Sequence, residues 1–153
     1  MAGIERRAEV RWEGGLADGR GTASAGTGAF TGLAVSWPSR VESPEGRTSP
    51  EELLAAAHAA CYAMAFSHVL GEAGTPPERV DVSAVVSAEL GSDGLKVTGS
   101  SLDVVGRVPG VDAAAFSAAA EEADRGCPIS NALRGNLEIR VQARLESEGG
   151  ANA

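Results

Sequence analysis

The stretch Thr48–Ala73, TSPEELLAAAHAACYAMAFSHVLGEA, predicts one long helix that carries Cys61 in its middle. Ser49 is a good N-cap, and Pro50 suits the first helical position. Glu52, three residues after Ser49, completes a capping box, because its carboxylate can reach back to the N-cap backbone N–H. The helix is therefore expected to begin at Pro50.

The other end of this helix is marked by glycine and proline. Gly71 and Gly74 offer left-handed positions, and Pro76 with Pro77 prevents continuation. Between the ends, apolar residues occupy nearly all sides, and a helix of that kind is expected to be buried. The polar exceptions are His58, Ser67 and His68.

Composition excludes several function classes. The chain has 153 residues, a net charge of -8 and 43% hydrophobic residues. Nucleic acids and anionic membrane surfaces call for clustered Lys and Arg, whereas the cations here are scattered. The N-terminus lacks a continuous apolar segment, and the histidines interrupt the longest apolar run well short of a membrane span. We expect a cytoplasmic protein with no membrane or nucleic-acid partner.

The order of the elements predicts an α+β fold. Strands that alternate apolar and polar residues precede and follow the long helix, and a hairpin is followed by a second helix and a last strand. The chain is predicted to form a single domain over residues 1–146, with a disordered tail at 147–153. The predicted elements are strands 4–13 and 20–26, an irregular segment 27–47, strands 80–90 and 95–108 with a bulge near Gly99, helix 112–125, a short helical turn from Cys127, and strand 136–146.

The available chemistry is that of thiols. The sequence contains no CxxC or HxxxH pair, no phosphate-binding loop, no dinucleotide fingerprint and no GxSxG, so we expect no metal and no cofactor. In a reducing compartment, Cys61 and Cys127 are either buried small side chains or a redox pair. A neighbouring His58 or His68 could activate Cys61, although either histidine could equally be a buried residue with satisfied hydrogen bonds.

The two cysteines have different predicted surroundings. Cys127 precedes Pro128 at a helix N-terminus, where amide groups stabilise a thiolate, so local reasoning makes it the more acidic thiol. Burial within the long helix raises the pKa of Cys61, and a nearby cation lowers it again. The helix supplies no cation, so a reactive Cys61 requires an arginine from elsewhere.

The long-helix stretch and CPISNAL, together with RWEG, DGRGT and VPG, resemble the OsmC/Ohr family of thiol peroxidases over nearly the whole chain. The resemblance implies an OsmC/Ohr-like fold, with antiparallel sheets packed around a long central helix. It also implies reduction of organic hydroperoxides, and less readily of hydrogen peroxide. Cys61 would be the peroxidatic cysteine and Cys127 the resolving cysteine that condenses with its sulfenic acid. A dithiol reductant, such as a lipoylated protein, would then reset the pair.

The family also places an arginine and a glutamate beside the reactive thiol. Glu51 matches the glutamate of the PEE motif. The Ohr pattern requires the arginine in the first hairpin turn, where this chain has Ala17, whereas the OsmC pattern is matched by Arg40, with a following loop one residue longer. The resemblance therefore assigns the OsmC branch, and Arg47 and Arg20 remain alternative cations.

Glu51 and Cys61 cannot share a small site within one helix. They are ten residues apart, which is about 15 Å along the axis. We therefore expect Glu51 and Arg40 to reach Cys61 of a second copy in an interwoven homodimer, which is also the assembly that the resemblance implies. A second hypothesis is a redox-sensing or small-ligand-binding dimer whose thiols oxidise without turnover, and a third is a structural module with buried cysteines.

Overall fold

The structure is a computed structural model, and it describes residues 2–147. The chain divides into two compact units, Met1–Leu53 and Leu54–Ala153, which are described separately. A single domain over 1–146 stays a prediction. Apart from Ser147, the predicted disordered tail lies outside the described residues.

The first unit contains a three-stranded antiparallel sheet in the order β1-β2-β3. Its strands are β1 (Ala8–Glu13), β2 (Arg20–Ala25) and β3 (Leu33–Val35). The predicted strands 4–13 and 20–26 form an antiparallel hairpin, in which the first strand begins at Ala8 and pairs with β2 along its full length. Alternation along β1 predicts one buried face with Val10 and Trp12, but they are 64% and 40% exposed, because β1 is an edge strand with both faces open within its unit.

The segment predicted to be irregular contains β3 and a short helix, α1 (Trp37–Val41). Ser36 caps α1, and its hydroxyl accepts a hydrogen bond from the Ser39 backbone N–H at 3.2 Å. The Ser39 hydroxyl accepts in return from the Ser36 N–H at 3.1 Å. This capping box fixes a helix of five residues that ends with Arg40 in its last turn.

The long helix, α2, spans Pro50–Glu72 as predicted. Ser49 caps it by accepting from the Glu52 backbone N–H at 3.1 Å. The other half of the predicted capping box is wrong, because the Glu52 carboxylate instead accepts from the Thr48 hydroxyl at 2.8 Å. Gly74 adopts the left-handed conformation with φ +80°, whereas Gly71 remains within the helix.

Only one side of α2 is buried by its own chain, so the expectation of an all-round buried helix is wrong for a single copy. Met64, on another side, is 69% exposed. By length and composition, α2 is also long and apolar enough to cross a membrane, so the expectation that the histidines leave too short an apolar run is wrong. The core helices of soluble proteins meet the same criterion. The buried residues recur every four positions: His58, Tyr62, Phe66 and Leu70.

The second unit contains a sheet in the order β4-β5-β6. The strands are β4 (Arg79–Gly91), β5 (Gly94–Arg107) and β6 (Glu138–Leu145). The hairpin β4-β5 is antiparallel as predicted, but β6 runs parallel to β5, so the sheet is mixed. A helical crossover between β5 and β6 returns the chain to the starting end of the sheet, which makes the pairing parallel. The bulge leaves Thr98 between the paired residues Val97 and Gly99, beside the predicted position.

The crossover consists of α3 (Ala113–Gly126) and α4 (Pro128–Leu133). Asp112 caps α3 as predicted, and its carboxylate accepts from the Ala115 N–H at 2.7 Å. Cys127 alone separates the two helices. The core of this unit joins α2, β5 and α3, and its largest members are Tyr62, Phe66, Leu70, Leu102, Val104 and Phe116.

Candidate active site

The two cysteines are neighbours in the second unit. Cys61 lies in the middle of α2 and packs against the buried cluster that contains Cys127. Cys127 is completely buried, Cys61 is half-buried, and both are free thiols. The fold thus brings together two thiols that are 66 positions apart in the sequence.

Cys127 lies at a helix start, as the sequence predicts. It caps α4, and its Sγ accepts a hydrogen bond from the Ser130 backbone N–H at 3.5 Å. Pro128 occupies the first turn, where a missing N–H costs nothing. The free amide groups of this first turn therefore lie beside the sulfur atoms.

Burial raises the pKa of the Cys61 thiol. A hydrogen bond from the Ile129 backbone N–H acts in the opposite direction, and the neighbouring Cys127 thiol raises the pKa further. The single chain therefore leaves Cys61 less acidic than a free cysteine. A positive charge near this thiol would reverse the effect.

His58 does not act as the base of a direct Cys–His pair. It is fully buried, and both of its ring nitrogens are occupied: Nδ1 lies 2.7 Å from Ser100 Oγ and Nε2 lies 2.8 Å from Ser130 Oγ. Burial lowers its pKa, which favours the neutral ring. His68 is exposed on α2. Of the two readings of His58, a buried histidine with satisfied hydrogen bonds is the one that the structure supports.

Arg40 and Glu51 form an ion pair within the first unit. Arg40 Nη2 donates to Glu51 Oε1 at 2.7 Å, and Arg40 Nε lies 3.1 Å from both carboxylate oxygens. The Arg40 guanidinium also lies 5.9 Å from the centre of the Trp37 ring, within cation–π range. The Arg40 hydrogen bond holds the pKa of Glu51 below its ordinary value. The carboxylate is thus charged at neutral pH and fixes the direction of the guanidinium.

The two alternative arginines have looser surroundings. Arg47 contacts the exposed Glu45 at 3.5 Å, and its own side chain is 43% exposed. Arg20 begins β2, directly opposite Glu13 of β1. With Arg11, Arg20 and Arg47 line a shallow cavity of about 310 Å³ on the first sheet.

Sequence reasoning missed the serines of this region. Ser100 on β5 and Ser130 on α4 are completely buried, and their hydroxyls hydrogen-bond to the two ring nitrogens of His58. Two signals were present: His58 is one turn from Cys61, and Ser130 is one turn from Cys127. Among residues 2–147, no group of three or more His, Cys, Asp and Glu side chains is arranged to hold a metal ion.

The sequence of this chain is similar to those of known proteins. Residues 43–142 match the family model described as OsmC-like protein. The chain is 37% identical over 141 residues to peroxiredoxin OsmC of Escherichia coli K12, covering 92% of this chain and 98% of that protein. It is 34% identical over 97 residues to an organic hydroperoxide resistance protein of Xanthomonas axonopodis pv. citri, covering 61% and 65%.

Solved structures give the same result. The crystal structure of an organic hydroperoxide resistance protein OsmC from Legionella pneumophila matches with a TM-score of 0.75 and 28% identity, covering 94% of this chain and 98% of that one. OhrB of Bacillus subtilis matches with a TM-score of 0.71 and 26% identity, covering 90% and 98%. The family-model match and the Escherichia coli relative, which is covered over 98% of its length, show that the chain belongs to the OsmC-like protein family.

Proposed function

We propose that the protein is a thiol peroxidase that reduces organic hydroperoxides, and hydrogen peroxide less readily, with Cys61 and Cys127. The observation that carries the proposal is the meeting of these two free thiols at the start of α4. Membership of a family whose relatives are named peroxiredoxin and organic hydroperoxide resistance protein supports the same chemistry.

The reaction uses the two thiols in sequence. The Cys61 thiolate attacks the terminal peroxide oxygen, the O–O bond breaks, and the organic part leaves as an alcohol after taking up a proton. Cys61 is then a sulfenic acid. The Cys127 sulfur attacks the Cys61 sulfur, an S–S bond forms, and the hydroxyl group leaves with the Cys127 proton as water. A dithiol reductant, such as a lipoylated protein, exchanges with this disulfide and restores both thiols.

Arg40 is the proposed cation of the first step. Its guanidinium, aimed by Glu51, would lower the pKa of Cys61 and stabilise negative charge as the O–O bond breaks. A bidentate pair suits this role better than the exposed contact of Arg47, because it fixes the charge in one direction.

The proposal includes a homodimer in which Arg40 and Glu51 of one copy serve Cys61 of the other. Glu51 lies in the first turn of α2 and Cys61 ten residues later, about 15 Å along the helix axis. The exposed apolar side of α2 supports a second copy as its cover. Ala59, Ala60 and Ala63 line a groove of about 440 Å³ together with residues of β4 and β5, which permits close packing.

A second candidate is a redox-sensing dimer whose thiols oxidise without turnover, since the two neighbouring free thiols can form a disulfide in either case. A cytoplasmic location fits either function, because its reductants keep both cysteines as thiols.

The test follows mass and thiol count after one equivalent of cumene hydroperoxide. We expect a loss of two hydrogens, no free thiol and a Cys61–Cys127 bond within one chain. Repeated cycles with excess dithiothreitol and peroxide distinguish an enzyme from a sensor. Two free thiols and an unchanged mass would refute both functions, and a single cycle without turnover would favour the sensor.

A further inference from the structure

His58 forms the central part of a buried polar bridge. Its Nδ1 meets the Ser100 hydroxyl of β5 at 2.7 Å, and its Nε2 meets the Ser130 hydroxyl of α4 at 2.8 Å. All three side chains have no exposed surface. A neutral imidazole donates through one nitrogen and accepts through the other, so one serine accepts and the other donates. The ring therefore ties α4 to α2 and to the sheet.

This bridge lies beside the two thiols. In α2, Cys61 follows His58 by three residues, and Cys127, the N-cap of α4, precedes Ser130 by three residues. Three residues advance a helix by about 4.5 Å. The pairs His58–Ser130 and Cys61–Cys127 are thus neighbouring contacts between the same two helices, in antiparallel order.

The same turn also links Ser130 to Cys127 through the backbone. The Ser130 N–H donates to Cys127 Sγ at 3.5 Å, while its side chain meets His58. The other side-chain hydrogen bonds from this segment to a neighbouring helix lead to α3 and lie at exposed positions: Asn131 to the Arg125 carbonyl, and Arg134 to Asp124. The Ile129 backbone N–H also contacts Cys61 of α2, and among the described hydrogen bonds between side chains the His58 bridge is the buried one that joins α4 to α2.

One further charge acts on His58. Asp124 raises the pKa of His58, but burial is the larger effect and lowers it, so the ring is neutral. Asp124 Oδ1 is buried without a hydrogen-bond partner in the described structure, while Oδ2 contacts Arg134 at 3.3 Å. The His58 bridge is thus made of neutral groups. Its hydrogen bonds depend on the positions of the ring and the two hydroxyls, and not on charge pairing.

We propose that His58 is a positioning residue of the thiol cycle, which holds Ser130, and through it the Cys127 end of α4, where Cys127 meets the Cys61 sulfenic acid. This inference rests on the proposed function. Its effect falls on formation of the S–S bond, with loss of the Cys61 hydroxyl as water. Displacement of a reacting group by about 1 Å can cost as much as 100-fold in rate, so a loosened α4 slows this step.

The test compares Ser130→Ala with Tyr62→Phe. Tyr62, one turn after His58 on α2, donates its hydroxyl to the Ala120 carbonyl at 2.8 Å and is equally buried. Each substitution removes a buried hydrogen bond made by a side chain of α2, but only the bond lost in Ser130→Ala joins α2 to α4. Reduced protein is mixed with one equivalent of cumene hydroperoxide in the presence of dimedone, and the Cys61–dimedone adduct and the disulfide are followed by mass spectrometry.

We expect Ser130→Ala to slow disulfide formation about tenfold, which corresponds to loss of a single hydrogen bond, and to increase the dimedone adduct. Tyr62→Phe should form the disulfide at the parental rate. His58→Gln, whose amide has an NH2 group that donates and a carbonyl oxygen that accepts, should form the disulfide faster than His58→Leu. Disulfide formation at the parental rate in Ser130→Ala, or equal slowing in Tyr62→Phe, would overturn the inference.

A second measurement does not depend on peroxide. Hydrogen exchange of the reduced protein should show less protection in α4 for Ser130→Ala than for Tyr62→Phe. If the parent protein forms no disulfide with peroxide, the proposed function fails, while unchanged exchange in α4 would remove the positioning role alone.

Discussion

The Arg40 guanidinium and the Glu51 carboxylate meet through three contacts of 2.7 to 3.1 Å, eleven residues apart in the sequence. Arg40 comes from the last turn of α1 and Glu51 from the first turn of α2. The pair is partly shielded, with side-chain exposures of 29% and 14%. An arginine held in this way keeps a defined direction, which a freely moving surface arginine does not.

Replacement of Arg40 by Ala should leave the fold intact and slow the reaction of Cys61 with organic hydroperoxide by roughly 100-fold, the typical cost of losing one transition-state donor. Arg40→Lys keeps the charge but loses the forked geometry of the guanidinium, so its rate should lie between those of the parent and Arg40→Ala. The measurement is the second-order rate constant by stopped flow. Arg47→Ala is the matched control, and a parental rate in Arg40→Ala would transfer the role to Arg47 or Arg20.

The contribution of Glu51 to stability should depend on pH. Its pKa in the folded protein lies below the ordinary value of 4.5, chiefly because of Arg40. As the pH falls, the unfolded chain takes up this proton first, so the stabilisation is complete above the ordinary pKa and is lost as pH falls through the folded pKa. The unfolding free energy of the parent should exceed that of Glu51→Gln at pH 7, and the difference should shrink below pH 4.5.

Glu45→Gln provides the control for this experiment, because Glu45 belongs to the exposed pair with Arg47. An exposed pair contributes about 0 to 1 kcal/mol. A difference between the parent and Glu51→Gln that stays constant from neutral to acid pH would contradict the prediction.

Met64→Glu should break the proposed homodimer. The side chain is 69% exposed in a single chain and lies on α2, where a second copy would bury it. A carboxylate in such an interface loses its hydration without a partner. Sedimentation should show monomers, and the pKa of Cys61, followed by the ultraviolet absorbance of the thiolate, should rise because Arg40 of the second copy is lost.

Leu16→Glu is the comparison for Met64→Glu, since Leu16 is 61% exposed and lies in the turn between β1 and β2. We expect it to remain dimeric with parental peroxide reactivity. A monomeric Met64→Glu protein with full activity would refute the shared site while leaving the two-thiol chemistry in place.

Gly106→Ala should destabilise the second unit. A Cβ at this position of β5 would lie 2.6 and 2.8 Å from atoms of the buried Phe116 ring. Overpacking of this kind typically costs about 1 to 3 kcal/mol. Gly99→Ala, on the same strand, would place its Cβ 3.4 Å from the Glu138 carbonyl oxygen and should be tolerated. Thermal unfolding of both variants measures the difference, and equal melting temperatures would contradict the prediction.

Local patterns predicted the elements that carry their own signals. Ser49 and Pro50 define the start of α2, Asp112 that of α3, and Cys127 with Pro128 that of α4. The sequence did not predict β3 and α1, because they contain three and five residues and lack a recognisable period. The sequence did not predict the parallel pairing of β6 with β5 either, since the alternation of side chains along a strand is the same in either direction.

The sequence by itself determined the long helix, the two cysteines at their helix positions and the family to which they point, because caps, prolines and periodicity act over a few residues. The tertiary structure alone decided that His58 bridges Ser100 and Ser130 and that Arg40 pairs with Glu51. These contacts join residues as far as 72 positions apart. They depend on how whole elements pack, and no local pattern records that packing.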